Sequence, residues 1–115
     1  MFRLAGSLSV ITSTGPVSTA GYASDGIDTF AYYGGIGIIN SGAVTTLGDS
    51  STAIEAESHG YGSVTITNVA ALSTQGANSR GIDASAEYGD VTILGRGAVS
   101  TSGSSAIGVS AVAGQ

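Results

Sequence analysis

The sequence predicts an all-β fold, a right-handed parallel β-helix of about four coils, with about 27 residues and three short strands per coil. Three observations lead there. A five-residue phrase recurs, since Val17-Ser18-Thr19-Ala20-Gly21 returns as Val44-Thr45-Thr46-Leu47-Gly48, Leu72-Ser73-Thr74-Gln75-Gly76 and Val99-Ser100-Thr101-Ser102-Gly103, at steps of 27, 28 and 27 residues. Apolar residues alternate with polar ones at period two, the pattern of half-buried strands. No segment of helical length carries an i, i+3, i+4 apolar stripe.

Each unit holds three segments in order. The first strand is Ile36-Gly37-Ile38, Val64-Thr65-Ile66 and Val91-Thr92-Ile93, with a degenerate counterpart around Leu8 to Ile11. The second is the recurring V-S/T-T phrase, whose threonines Thr19, Thr46, Thr74 and Thr101 are expected inward. The third is Ile27-Asp28-Thr29, Ile54-Glu55-Ala56, Ile82-Asp83-Ala84 and Ile107-Gly108-Val109. These residues are β-branched or small, and Gly, Asn, Ser or Asp marks every break. Copies at constant spacing favour a solenoid over an antiparallel sheet, with residue n above residue n + 27 and coils about 4.8 Å apart. The expected core is Ile36, Ile38, Val44, Ile54, Val64, Ile66, Leu72, Ile82 and Ala84. Asn40 and Asn68, at the turn after the first strand, are expected to form a short hydrogen-bonded ladder flanked by Ser13 and Gly95.

Composition narrows the function. The 115 residues form a single domain, 1–115, in which charged residues are 10% of the chain against the usual quarter. A net charge of −5 with three basic residues excludes a phosphate-binding face, hence nucleic acid. No apolar run is long enough for a transmembrane helix, so membrane insertion is not expected. Cysteine is absent, which removes disulfides and Cys-type zinc sites. The start, Met1-Phe2-Arg3-Leu4-Ala5-Gly6-Ser7, has no signal-peptide h-region. Leu4 and Leu8 at one end, and Val109, Ala111 and Val112 at the other, are expected to leave apolar strand edges. The expectation is a fragment of a longer array or a subunit that stacks end to end on like coils.

Gly89-Asp90-Val91-Thr92-Ile93, the V-S/T-T-x-G turn and Gly76-Ala77-Asn78-Ser79-Arg80-Gly81-Ile82 resemble the repeats of bacterial autotransporter passenger domains and related haemagglutinin-like adhesins. The resemblance covers the chain from about Leu8 to Ala111. It implies a right-handed parallel β-helix outside a Gram-negative cell or on its surface, acting in adhesion, aggregation or biofilm. Surface glycans of a host or neighbouring cell are the partners that such a role implies.

Two columns are candidate binding sites. Tyr33, Tyr61 and Tyr88 recur at steps of 28 and 27, each before the Gly that opens a coil. They can form a stacking strip for sugars or a structural ladder at a corner. Asp28, Glu55 and Asp83 each follow an inward Ile and should point outward in one column, with Arg80 close to Asp83 and Glu55. Like charges about 5 Å apart repel, which invites a bridging cation. Calcium-loop grammar such as D-x-D-x-D-G is missing, so a solvated face is the expectation, with neither metal nor cofactor.

No catalytic frame stands out. His59 is the sole histidine, no G-x-S-x-G occurs, and Gly34-Gly35-Ile36-Gly37 opens a strand rather than a phosphate-cradling helix. An enzyme is not expected. Two alternatives to an adhesive segment stay open, a self-assembling filament subunit and an ice- or crystal-binding solenoid. The latter would use the outward column Ser18, Thr45, Ser73 and Ser100, but a repeated outward T-x-T occurs only at Thr65-x-Thr67 and meets Leu94 in the next coil.

Overall fold

A computed structural model describes residues 8–114, so the start of the chain and Leu4 lie outside the described residues. Twelve strands wind into three four-stranded parallel sheets. Sheet one stacks β1 (Leu8–Ser13), β4 (Gly35–Asn40), β7 (Val64–Asn68) and β10 (Val91–Leu94). Sheet two stacks β2 (Val17–Thr19), β5 (Val44–Thr46), β8 (Leu72–Thr74) and β11 (Val99–Thr101). Sheet three stacks β3 (Ile27–Ala31), β6 (Ile54–Ser58), β9 (Arg80–Ala86) and β12 (Ile107–Ala113). The chain therefore makes about four turns of a β-solenoid with three strands per coil. No helix among the described residues is long and apolar enough to cross a membrane.

Register follows the repeat. Val44 pairs with Val17 and Leu72, Ile66 with Ile38 and Ile93, and Ile54 with Ile27 and Ile82. The large apolar residues thus stack on one another from coil to coil, while Ser58 stacks between Ala31 and Ala86, and the middle coils close over them. All nine expected core residues are buried, none more than 2% exposed. Asn40 and Asn68 are buried and bonded as a ladder, Asn40 Nδ2 donating to Asn68 Oδ1 at 2.8 Å. Each amide also donates to a backbone carbonyl two residues on, Gly42 for Asn40 and Ala70 for Asn68. Gly95 ends the ladder at φ 126°, where a Cβ would overlap the Asn68 carbonyl.

The second corner explains the rest of the recurring phrase. Thr46 is buried, and its Oγ1 donates to the Ser51 carbonyl at 2.8 Å, as Thr19 does to Ser24 at 2.6 Å. The Ser51 N–H donates to Ser79 Oγ and the Ser24 N–H to Ser51 Oγ, so a second polar ladder runs inside this corner. The terminal Gly of the phrase is set by stacking. A Cβ on Gly48, Gly76 or Gly103 would fall inside the carbonyl of the glycine one coil below.

One alignment needs correction. Ile107 does not continue the Ile27, Ile54, Ile82 column; Val109 does, because the register pairs Val109 with Ile82 and Ile107 with Arg80. The phase is set by a turn residue in the left-handed region, Ala23, Ser50, Asn78 and Ser105, with φ between 51° and 58°. The inward residue lies four positions later each time, at Ile27, Ile54, Ile82 and Val109. Left-handed φ costs a non-glycine residue about 1–2 kcal/mol. Ala23→Gly is therefore expected to raise stability by about 1 kcal/mol, less what the freer unfolded chain takes back. A lower melting temperature for that variant would contradict the role assigned to the turn.

Candidate functional site

Sheet three carries the acids. Its parallel register puts Asp28 beside Glu55 and Glu55 beside Asp83, so the expected carboxylate column exists. Arg80 Nη1 donates to Asp83 Oδ2 at 2.7 Å, which neutralises one end of it. Sequence reasoning missed Asp25. Strand alternation breaks at the corner before β3, where a Cβ on Gly26 would point inward like Ile27 does. Residues 25 and 28 consequently flank the corner on the same outer side. Carboxylate oxygens of Asp25, Asp28 and Glu55 lie within 4.8 Å of one another. Three carboxylates can contribute to a hard cation's shell, but calcium takes six to eight oxygens, so water would have to supply the remainder.

Partial burial, then the charges of Asp25, Asp28 and Asp83, push the Glu55 carboxyl from its ordinary 4.5 up to about 7. Burial, then Asp25 and Glu57, raise Asp28 in the same direction. Between pH 4.5 and about 7 the folded chain therefore binds more protons than the unfolded chain, and stability falls as pH rises through that window. The contribution is complete below 4.5 and gone above about 7. Glu55→Gln should flatten this dependence and melt higher than the parent chain at pH 8. Parallel melting curves for the two proteins across the window would contradict the carboxylate cluster.

The third corner, between sheet three and the next coil's sheet one, gathers the rings. Tyr61 and Tyr88 stack, centroids 5.0 Å apart and planes 28° from parallel. Tyr33 turns toward Tyr32, at 6.1 Å, and is half-exposed. Tyr32, Phe30 and His59 form a neighbouring cluster, with Phe30 5.1 Å from Tyr32 and 4.8 Å from His59. His59 Nε2 also lies 3.3 Å from Glu57 Oε1. The Tyr column thus combines a stacked pair with an offset third ring. The Phe30–Tyr32–His59 cluster had no signal in the repeat, because none of the three recurs as the same residue one coil on, and His59 joins Phe30 and Tyr32 from the next coil.

A groove of about 700 Å³ opens beside this corner on the outer face of sheet one. Tyr33 and Tyr61 flank it, Gly35 and Gly37 form its floor, and Leu8, Ser63 and Thr65 line its sides. Elsewhere the outward columns offer no flat Thr rank. Ile39 lies beside Thr67 and Thr67 beside Leu94, while Ser18, Thr45, Ser73 and Ser100 stand alone on sheet two. No family model, curated protein or solved structure matches this chain significantly. The autotransporter and adhesin resemblance therefore rests on the motifs alone.

Proposed function

We propose that this chain is a structural and adhesive β-helix segment of a secreted or surface-displayed bacterial protein, acting by contact in adhesion, aggregation or biofilm. The observation that carries the reading is the coil-on-coil register. It repeats each outward column at a fixed step and holds exposed rings along one corner of a rigid stack. Such a stack extends reach by about 4.8 Å per coil and presents a surface rather than a converging catalytic site. In this reading the segment acts outside a Gram-negative cell, and its partners are like coils of the same or parent protein and glycans on neighbouring surfaces. The test is to display residues 1–115 on bacterial cells through a carrier barrel and to measure cell settling and adherence to glycan-coated plates. Display should speed settling or raise adherence over the carrier alone. No change in either would overturn the adhesive reading.

A self-assembling filament is the second reading, and one observation favours it. The outermost described strands, β1 to β3 and β10 to β12, are each paired on one side only. Of their inward residues, Ile11, Val17, Val91, Ile93 and Val99 are only half-buried against the closed middle coils, whereas Ile27 and Ala31 of β3 are buried. The two end surfaces carry similar side chains, so one can continue the other. Light scattering should then give an apparent mass that grows with concentration, and Val112→Lys should reduce the growth. A constant monomer mass would rule the filament out.

A further inference from the structure

We propose that the groove on the outer face of sheet one binds a neutral carbohydrate chain, with Tyr33 and Tyr61 stacking on its sugar rings and Gly37 as the floor beneath it. The decisive residue is Gly37. It lies in the middle of β4, where glycine marks a bulge, a bend or the close approach of a ligand or another backbone, and the one-to-one register with Val10 and Thr65 leaves no bulge there. The fold gives no other reason for glycine there. Its φ is not left-handed, and a Cβ would meet only Val10 Cγ2 at 3.9 Å and Leu8 Cδ1 at 4.0 Å, ordinary van der Waals contact. A side chain would fit, and its absence keeps the floor bare.

The walls specify the occupant. Tyr61 is 83% exposed, yet its ring is held by stacking on Tyr88, and Tyr33 is buttressed by Tyr32. Two exposed rings, each packed against a second tyrosine, offer flat apolar faces to the C–H face of a pyranose. Ser63 and Thr65 add hydroxyls along one side. No lining residue is charged, which suits an uncharged ligand. A polyanion would find no basic partner in the groove and would meet a chain of net charge −5. A peptide strand would need a sheet edge, whereas this groove lies on a sheet face. The volume falls in the range of ordinary small-ligand clefts.

This proposal rests on the adhesive reading for its biological setting but not for its test, since soluble sugars report on the groove without display. The probes are hexasaccharides of β-1,4-linked glucose, β-1,4-linked N-acetylglucosamine and α-1,4-linked glucose, with a sulfated hexasaccharide as the anionic control. Titrated into the isotope-labelled full chain, at least one neutral sugar should shift the amides of Gly35, Gly37, Tyr61 and Thr65. Tyr61→Ala should weaken that binding about tenfold, while Tyr61→Phe keeps most of it. Gly37→Leu fills the floor and should abolish binding with an unchanged or raised melting temperature, an outcome that loss of fold cannot imitate. The proposal falls if no neutral sugar moves these amides at millimolar concentration, or if only the sulfated one does. It also falls if Gly37→Leu still binds, or if that variant changes self-association instead, which would make the groove a contact between copies. Adherence in the display assay with no groove shifts would leave the adhesive reading standing and place the contact elsewhere.

Discussion

Ile82→Asp is expected to abolish the cooperative thermal transition, leaving a chain that is unfolded or aggregated at room temperature. Ile82 is 2% exposed and sits between Ile54 and Val109 in the third-strand column. A carboxylate placed there has apolar neighbours above and below and no basic partner inside the stack. Burying an unpaired charged group costs several kcal/mol, much of what holds a domain of this size together. Circular dichroism with temperature reads the result. A sharp melt at the parent temperature would remove Ile82 from the core. The neighbouring Asp83→Ala, whose carboxylate points outward to Arg80, should shift the melt by only a few degrees.

Gly76→Ala carries the second large effect, and from a single methyl group. The new Cβ would enter the carbonyl of Gly48, which is backbone and cannot rotate away. Relief requires the second-corner turn of one coil to lift off the next. That breaks the stacked bonds beside it, in which the Gln75 N–H donates to Thr46 and the Ser50 N–H to Ala77. Overpacking of this kind costs about 3 kcal/mol. Measured by denaturant unfolding, Gly76→Ala should lose a large part of the parent stability, whereas Gly37→Ala should lose none. Equal losses at the two positions would mean that the coils are not stacked as described.

The strand positions were legible because the repeat and the period-two alternation describe the same physical fact, a side chain stacked on its equivalent one coil away. Ile36 over Val64 and Asn40 over Asn68 needed no further information. The last coil was misaligned because the turn that sets its phase tolerates several residue types. Ala23, Ser50, Asn78 and Ser105 share a backbone conformation rather than a side chain, and Ile107 mimics the apolar residue expected two places later. The acidic column was visible at Asp28, Glu55 and Asp83, but Asp25 was hidden by the break in alternation at Gly26 and Ile27. The groove left the least trace in the sequence. It is made by side chains that Gly35 and Gly37 lack, and its Tyr walls come from different coils.

The most direct measurement is a register test with paired cysteines, which the absence of native cysteine makes free of background. Thr45 and Ser73 face outward as register partners on adjacent coils. Their Cα atoms should lie about 4.8 Å apart, inside the range a disulfide spans. Thr45→Cys with Ser73→Cys should therefore close an intramolecular disulfide under mild oxidation, in a folded chain at low concentration. Thr45→Cys with Ser100→Cys, two coils apart, should not. Closure of the first pair alone is the result the stacked solenoid predicts. Closure of both pairs at similar rates, or of the second alone, would contradict it.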